Sequence, residues 1–375
     1  MSTLAKSQEI PMAETLKRTP LYEEHLALKA KMVPFGGWEM PVQYEGIIAE
    51  YEATRKRAAL FDTSHMGEFI VEGDCVKTGL DRLVTLNLVD MPVKTCRYGA
   101  LLNPSGGVMD DLIVFRTEKD KWFIVVNGGT TEKDAAHFRK HIIPGAFSDI
   151  SLKTGKLDLQ GPQAREILKT FVPGIGKLEQ YYSFDDFDFL GQKVMISRTG
   201  YTGELGYEIF VPWQDTVKFW RAILKINLVN PAGLGARDCL RIEMGYSLYG
   251  HELSDTISPL EAGLDKFIDF NKEFIGKEAL VKQKEQGVKR KLIAFVSEDR
   301  RSPRAQHKIY SSDLKEIGEV ASGSFAPALT RGIGLGFVRT PLPAAGEKIY
   351  FGDEKTKSAG EVAKRPFYKN GSLKI

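Results

Sequence analysis

An order of predicted elements that occurs twice along the chain is the strongest constraint on its fold. Each occurrence begins with a strand that a glycine ends, and a helix, a hairpin and a second helix follow. The first occurrence consists of the strand Glu68 to Glu72, the helix Cys75 to Leu86, the hairpin Tyr98 to Phe115, the strand Trp122 to Asn127 and the helix Thr131 to His141. The second consists of the strand Ser151 to Gln160, the helix Gln163 to Phe171, two or three strands between Phe187 and Val211, and the helix Trp213 to Leu228. This order predicts an α+β fold with duplicated strand-helix-hairpin-helix units.

Other elements flank the two units. We expect a helix from Leu21 to Lys31, after Thr19-Pro20, and another from Ile47 to near Phe61. Beyond about Arg290, short β-type runs separated by Gly, Pro and Ser predict a small antiparallel barrel or sandwich. These runs are Lys291 to Val296, Glu319 to Ser324 and Gly332 to Val338. The expected domains are residues 1–150, 151–285 and 286–375, with Lys282 to Lys291 as the linker.

Charge and cysteine content exclude several classes of protein. The 52 Lys and Arg residues nearly balance 49 Asp and Glu residues, and a net charge of +3 gives no strong field for nucleic acid or a membrane surface. The three cysteines are scattered and form no C-x-x-C pair, which argues against disulfides and a cysteine metal site. The stretch Met1 to Thr19 has no apolar centre and is not expected to be a secretory signal. We therefore expect a cytoplasmic protein.

Two adjacent carboxylates end the acidic turn, which we define as Gly106 to Asp111. Successive residues of a strand point to opposite faces, so Asp110 and Asp111 cannot share one role. One side chain is expected to cap the turn or face solvent, and the other to face whatever the sheet covers. On spacing alone, two carboxylates that bind turn amides are as good an interpretation as a functional site.

Two further loops carry candidate binding residues. In the hairpin loop from Ser197 to Glu208, Tyr201 offers a ring that can stack on a heterocycle and Glu208 a carboxylate that can accept two N–H donors, although an ordinary hairpin is favoured on the pattern alone. Gly233 to Asp238 fails as a dinucleotide motif because the third glycine is missing and no parallel strand is predicted before it. Arg237 either binds a carboxylate or forms a helix-surface ion pair with Asp238 or Glu243.

Histidines provide weaker candidates. His137 and His141 have the i, i+4 spacing of metal ligands, but their surroundings favour an amphipathic helix surface. His65 follows Ser64 without the Gly-x-Ser-x-Gly motif of a serine hydrolase, which favours a core or loop histidine. We expect no metal site.

Several motifs taken together resemble the T-protein family of the glycine cleavage system, in order from about Arg18 to Phe367. They are Pro34 to Pro41, Phe61 to Glu68, the acidic turn, Arg198 to Glu208, Gly233 to Asp238 and Tyr249 to Glu252. The resemblance implies two interleaved folate-binding domains followed by a C-terminal antiparallel β-barrel. It also implies an aminomethyltransferase that takes the methylene of an aminomethyl group from a lipoylated carrier, the H-protein, to tetrahydrofolate, releasing ammonia and dihydrolipoyl carrier.

Roles for individual residues follow from the same resemblance. Asp111 lies against the N5/N10 region of the folate and is the catalytic residue, either as a base or as an electrostatic stabiliser. The other expected binding residues are Tyr98, Tyr182 and Tyr201 around the pterin and benzoyl groups, Glu208 at the pterin edge, and Arg237 with Tyr246 towards the glutamyl or carrier side. Tetrahydrofolate is a co-substrate, and no metal, flavin or nicotinamide is implied. The glycine decarboxylase and dihydrolipoyl dehydrogenase components are indirect partners.

The chain departs from the family pattern at three places. Leu205 stands where many relatives have an acid, Phe115 where a tyrosine is common, and Lys369 where arginine is frequent. The alternative function is a folate-dependent demethylase of a sulfonium or methylamine donor, which shares this fold. An iron–sulfur assembly factor is a second alternative, but none of the three cysteines lies in the Lys-Gly-Cys-Tyr-x-Gly-Gln type of motif that such relatives have.

Overall fold

A computed structural model of the chain describes residues 16–353 and 355–374, so most of the Met1 to Thr19 stretch lies outside the described residues. The first part contains α1 (Tyr22–Ala27), β1 (Lys31–Phe35), β2 (Trp38–Gln43), α2 (Ile47–Lys56), β3 (Ala58–Asp62), β4 (Gly67–Glu72), α3 (Leu80–Leu83), β5 (Cys96–Leu102), β6 (Val108–Glu118), β7 (Lys121–Val126), α4 (Thr131–His141) and β8 (Phe147–Asp149). The second part contains β9 (Thr154–Gln160), α5 (Ala164–Lys169), β10 (Phe184–Phe189), β11 (Gln192–Ser197), β12 (Gly206–Pro212), α6 (Thr216–Leu224), β13 (Val229–Ala232), α7 (Leu234–Met244), α8 (Pro259–Ala262) and α9 (Lys277–Gln286). The last part contains β14 (Arg290–Ser297), β15 (Lys308–Tyr310), β16 (Glu316–Ala326), β17 (Arg331–Arg339), β18 (Lys348–Gly352) and β19 (Lys357–Ala363).

Two sheets carry the duplicated units. The first has the strand order β5-β6-β7-β4-β8 and is antiparallel. The second has the order β10-β11-β12-β9-β3-β13, in which only β3 and β13 pair in parallel. Strand β3 precedes the first sheet in the chain but lies in the second, so the two α+β domains are interleaved. Each sheet has its own buried apolar cluster.

The C-terminal part is a closed antiparallel barrel with the strand order β14-β17-β16-β15-β18-β19. Closure leaves no free sheet edge, which is how a small all-β unit protects its backbone hydrogen-bonding groups. Apolar residues fill the interior, among them Phe295, Ile309 and Phe351. A further apolar cluster joins the barrel to β5 and to the segments around α8 and α9.

The α+β class and the barrel are confirmed, and α4 has the predicted bounds. Two predicted helices are too long. The one expected up to Lys31 ends at Ala27, and the one expected up to Phe61 ends at Lys56 because Ala58–Asp62 forms β3. All five residues of β3 are buried, and a short apolar run buried on both sides has no periodicity that separates strand from helix.

Three other predictions are wrong. Of the helix expected over Cys75 to Leu86, only the short α3 forms, and Gly79 with its φ of +89° stands directly before it. Half of the expected linker Lys282 to Lys291 is the end of α9, which stops at Gln286 before the cap residue Gly287, and its last two residues begin β14. A parallel strand, β13, does precede Gly233. The strand was not predicted because Pro231 interrupts its pattern. Proline is tolerated in a strand at a sheet edge, and β13 is an edge strand of the second sheet.

A buried arginine joins the second domain to the end of the chain. Arg55 on α2 donates from Nη1 to Glu204 Oε1 and from Nη2 to Glu243 Oε2, both at 2.7 Å, and its side chain is 5% exposed. Glu204 also accepts from the backbone N–H of Ser372 at 2.8 Å. The backbone oxygen of Glu243 accepts from Phe367 N at 2.8 Å. This Arg55 network therefore holds α2, α7, the loop before β12 and the C-terminal segment together.

Replacing Arg55 by methionine is expected to lower the free energy of unfolding by about 3–5 kcal/mol, because two buried carboxylates lose their cation. Urea denaturation at neutral pH measures this. The matched control is Lys56→Met at the neighbouring exposed position, where the loss is expected to stay within about 1 kcal/mol. Equal effects of the two substitutions would contradict the importance of the Arg55 network.

Candidate active site

Asp111 is held by two donors on the less buried face of the first sheet. It lies on β6, and its Oδ2 accepts from the hydroxyl of Tyr98 on β5 at 3.0 Å. Its Oδ1 accepts from Asn127 Nδ2, at the end of β7, at 2.9 Å. Strand register explains the first bond: Ala100 is opposite Asp111, so Tyr98 is a diagonal neighbour on the same face.

Asp110 points to the other face and is fully buried. Its Oδ2 accepts from Asn127 N at 3.0 Å and from Thr130 Oγ1 at 2.9 Å, and its Oδ1 accepts from Asn127 Nδ2 at 2.9 Å. It thus ties β6 to the residues that begin α4, which is the structural role expected of one carboxylate. Asn127 contacts both carboxylates, and no sequence motif singled it out because its partners are 16 and 17 residues away.

Burial and neighbouring charge set the ionisation of these carboxyls. Burial, and then the charge of Asp110, raise the pKa of Asp111 to about 7, against the opposing effect of the bonds from Tyr98 and Asn127. Burial, and then the charge of Asp110, also raise the pKa of Asp134 on α4 to about 10. Asp134 is therefore protonated at neutral pH, while Asp111 exchanges a proton there. A carboxyl with such a pKa is typical of a catalytic site.

Aromatic rings gather around Asp111. The charge of Asp111 contributes to the raised pKa of Tyr98 and of Tyr201, after the larger effect of burial, which places both hydroxyls within its electrostatic reach. Tyr201 stacks on Tyr246, with ring centroids 5.6 Å apart and planes at 23°, and its hydroxyl donates to the backbone oxygen of Ser247. Tyr182 lies against Tyr181 with centroids 4.4 Å apart. The structure thus brings the four predicted tyrosines to one region with Asp111.

Glu208 and Arg237 lie beside these rings, and each is already paired within the chain. Glu208 accepts from Lys156 Nζ and from Thr199 Oγ1, both at 2.5 Å. Arg237 donates to Asp158 Oδ2 at 2.6 Å, and its guanidinium carbon lies 5.1 Å from the centre of the Tyr201 ring. Lys156 and Asp158 were not predicted, because their side chains reach the site only through the pairing of β9 with β12.

The ion pairs suggested for Arg237 on the helix surface are not formed. Asp238 pairs with Arg241 and Glu243 with Arg55. The two glycines before Arg237 serve packing: a Cβ at Gly233 would lie 2.5 Å from Val42 C, and one at Gly235 would lie 2.6 Å from Ile47. This segment is therefore built for close contact with β2 and α2.

The other candidates lie outside this constellation or are inert. His65 is buried, and burial lowers its pKa to about 4, so it is neutral. His137 contacts His141 with centroids 4.6 Å apart, and no group of three His, Cys, Asp or Glu suited to a metal occurs in the described ranges. Phe115 and Leu205 are buried in the apolar clusters of the two sheets, and Lys369 is exposed. Within residues 16–353 and 355–374, no helix combines the length and apolar character that crossing a membrane requires.

Interleaved α+β domains, a closed barrel and a half-buried carboxyl among aromatic rings indicate an enzyme that transfers a small group. Two family models match: the GCVT N-terminal domain over residues 21–272 and the glycine cleavage T-protein C-terminal barrel domain over residues 290–369. The chain belongs to the glycine cleavage T-protein family, whose members are aminomethyltransferases that use tetrahydrofolate.

Full-length relatives agree. The chain is 43% identical to the aminomethyltransferase of Desulforamulus reducens over 361 residues, which is 95% of this chain and 99% of the relative. It is 41% identical to that of Phocaeicola vulgatus, over 94% of this chain and all of the relative. The crystal structure of the glycine cleavage system aminomethyltransferase T from Bartonella henselae superposes with a TM-score of 0.89 at 30% identity, covering 95% of this chain and 99% of that one.

The raised pKa of Asp111 predicts a pH-dependent stability difference. A carboxyl whose pKa is about 7 in the folded protein and about 4 in the unfolded chain binds its proton more tightly when folded, so it destabilises the protein as pH rises from about 4 to about 7. Asp111→Asn removes this cost. Its free energy of unfolding relative to the unsubstituted protein is expected to rise by about 2–4 kcal/mol between about pH 4 and about pH 8.

Urea denaturation across this pH range tests the difference. Asp120→Asn, at an exposed turn position, is the control for the substitution itself and is expected to leave the free energy of unfolding within about 0.5 kcal/mol of the unsubstituted protein at neutral pH. A constant difference for Asp111→Asn would show that the carboxyl titrates normally.

Proposed function

We propose that this aminomethyltransferase takes the methylene of an aminomethyl group, carried on the lipoyl sulfur of the H-protein, and joins it to tetrahydrofolate, with release of ammonia and dihydrolipoyl carrier. The observation that carries the proposal is the half-buried Asp111 carboxyl, which lies among tyrosines and is held by Tyr98 and Asn127. Departure of ammonia leaves positive charge on the methylene carbon. An ionised, fixed carboxylate stabilises such charge in the transition state.

A polar heterocycle fits the walls of the proposed folate site. Tyr98, Tyr182 and Tyr201 supply flat apolar faces, and Glu208 supplies a carboxylate for the pterin edge. Buried polar atoms nearby support a ligand with donors and acceptors: Ser247 Oγ and both carboxyl oxygens of Glu68 find no hydrogen-bond partner in the part of the chain that the structure describes. Buried polar groups are normally satisfied, by protein, water or ligand.

We place Arg237 and Tyr246 at the side of the site that faces the glutamyl tail or the carrier. Arg237 is 15% exposed and uses one nitrogen for Asp158, so other N–H donors of the guanidinium are left for a carboxylate. Its contact with Tyr201 also fixes that ring, which Tyr246 stacks on from another side. The lipoylated H-protein is the direct partner in this proposal, and glycine decarboxylase and dihydrolipoyl dehydrogenase act through the carrier. A cytoplasmic location stays a prediction.

Asp111→Asn is expected to fold and to lose about 100-fold or more of the ammonia release from aminomethylated H-protein in the presence of tetrahydrofolate, because the neutral amide no longer stabilises the developing charge. The rate of ammonia release measures this, with Asp120→Asn as the control that keeps normal activity. Near-normal turnover by Asp111→Asn would overturn the assigned role.

The same assay on the unsubstituted protein separates the competing functions. Dimethylglycine and a sulfonium donor are offered beside aminomethylated carrier. Turnover of either, without turnover of the carrier, would favour the demethylase. Folate binding without any transfer would favour the iron–sulfur assembly factor.

A further inference from the structure

A buried lysine adjoins the site and has no part in the roles proposed above. Lys156 is the third residue of β9, and its side chain is 2% exposed. An ammonium group in the interior is costly unless it is paired. Its Nζ donates to Glu208 Oε1 at 2.5 Å and lies 3.3 Å from the sulfur of Met66. Burial of the Lys156 ammonium destabilises the fold, so a functional reason for its position beside Glu208 is worth seeking.

The pairing of β9 with β12 creates the need for this cation. Glu208 on β12 lies directly opposite Asp158 on β9, and like charges in that position repel. Each carboxylate has its own cation. Lys156, two residues before Asp158 on the same face of β9, pairs with Glu208, and Arg237 from α7 pairs with Asp158. These four side chains form a charge quartet whose net charge is zero.

The quartet also fixes the orientation of Glu208. Lys156 occupies one acceptor position on Oε1, and Thr199 occupies one on Oε2 at 2.5 Å. Thr199 is itself held by Ser197, with the two hydroxyl oxygens 2.6 Å apart. An ionised carboxylate has two acceptor positions on each oxygen, so one position on each remains. Two parallel N–H donors of a planar ligand match that arrangement.

Titratable groups face Glu208 from five elements. They are Lys156 and Asp158 on β9, Arg237 on α7, Glu68 on β4, Cys96 on β5, and Tyr181 with Tyr182 before β10. Burial by itself would raise the pKa of Glu208, but the charge and hydrogen bond of Lys156, with the bond from Thr199, lower it below its ordinary value. Burial raises the pKa of Glu68 well above its ordinary value. Lys156 therefore favours ionisation of Glu208 in particular.

We propose that Lys156 is a positioning residue of the folate site, whose buried ammonium keeps Glu208 ionised and fixed so that it accepts the paired N–H donors of the pterin. This inference rests on the proposed function, since it takes tetrahydrofolate as the ligand. Lys156 itself does not contact the ligand in this scheme. It affects ligand binding only by keeping the Glu208 carboxylate ionised and in place.

The variant Lys156→Met tests the proposal. Its dissociation constant for tetrahydrofolate is compared with that of the unsubstituted protein at about pH 6 and about pH 9, by tryptophan fluorescence in reducing buffer. A buried carboxyl without its cation titrates several pH units above its ordinary value. Glu208 is then protonated at the lower pH, and binding is expected to be about tenfold or more weaker than in the unsubstituted protein. The ratio of the variant's dissociation constant to that of the unsubstituted protein is expected to be smaller at the higher pH, where Glu208 of the variant ionises. Titration of Asp111 affects both proteins and cancels in the ratio.

Three comparisons make the outcome decisive. Lys193→Met, at a 75% exposed position on β11, is the control and is expected to bind normally at both pH values. A ratio of dissociation constants, Lys156→Met over the unsubstituted protein, that is near one or is raised equally at both pH values would overturn the positioning role while leaving the proposed function intact. Absence of binding by the unsubstituted protein would instead refute the proposed function.

A neutral double variant covers the case in which Lys156→Met does not fold. Lys156→Met with Glu208→Gln leaves no uncompensated charge in this pair and is expected to fold. Its dissociation constant for tetrahydrofolate is expected to be at least about tenfold higher than that of the unsubstituted protein. The ratio of the two dissociation constants is expected to be the same at both pH values. Binding as tight as in the unsubstituted protein would overturn the proposal, because it would show that an ionised Glu208 is not needed.

Discussion

The bidentate contact of Arg55 with Glu204 and Glu243 is the interaction on which the arrangement of the domains depends. A guanidinium that is 5% exposed has lost most of its hydration, and only close carboxylates compensate for that loss. Glu204 stands in the loop that also contains Tyr201, and Glu243 stands on the helix that contains Arg237. The contact therefore fixes the two elements that carry binding residues relative to α2 and the C-terminal segment.

The acidic turn shows how strand alternation divides two adjacent carboxylates. Asp110 accepts hydrogen bonds from Asn127 and Thr130, and these bonds hold the start of α4 against β6. Asp111 faces the tyrosines and accepts from Tyr98 and Asn127, and its pKa is raised to about 7 by burial and by the charge of Asp110. The structural carboxylate thus raises the pKa of the carboxyl that we propose as catalytic. A single acidic residue at this turn would not produce the same ionisation.

The two sheets contribute different groups to the candidate site. The first contributes Asp111, whose pKa is about 7, and the second contributes two ion pairs. Strand β9 contributes Lys156 and Asp158, which pair with Glu208 and Arg237. Glu208 and Arg237, two of the residues that the family resemblance assigns to ligand binding, are thus each held by an ion pair with a residue of β9. Such pairing reduces the conformational freedom that ligand binding would otherwise have to remove.

The sequence pattern by itself determined the α+β class, an antiparallel C-terminal β unit and the opposite orientation of Asp110 and Asp111, because these depend on periodicity and strand alternation, which are local properties. That the β unit is a barrel followed only from the family resemblance. The family motifs in the sequence also led to the ligand-binding roles that we propose for the tyrosines, Glu208 and Arg237. Only the tertiary structure decided that β3 and β13 are strands, that Asn127 bridges the two carboxylates and that Lys156 pairs with Glu208. These features join residues far apart in the chain: Arg57, next to β3, bonds Asn230 of β13 across 173 positions, and Lys156 bonds Glu208 across 52. Contacts of that kind arise from strand pairing and burial, which leave no local pattern in the chain.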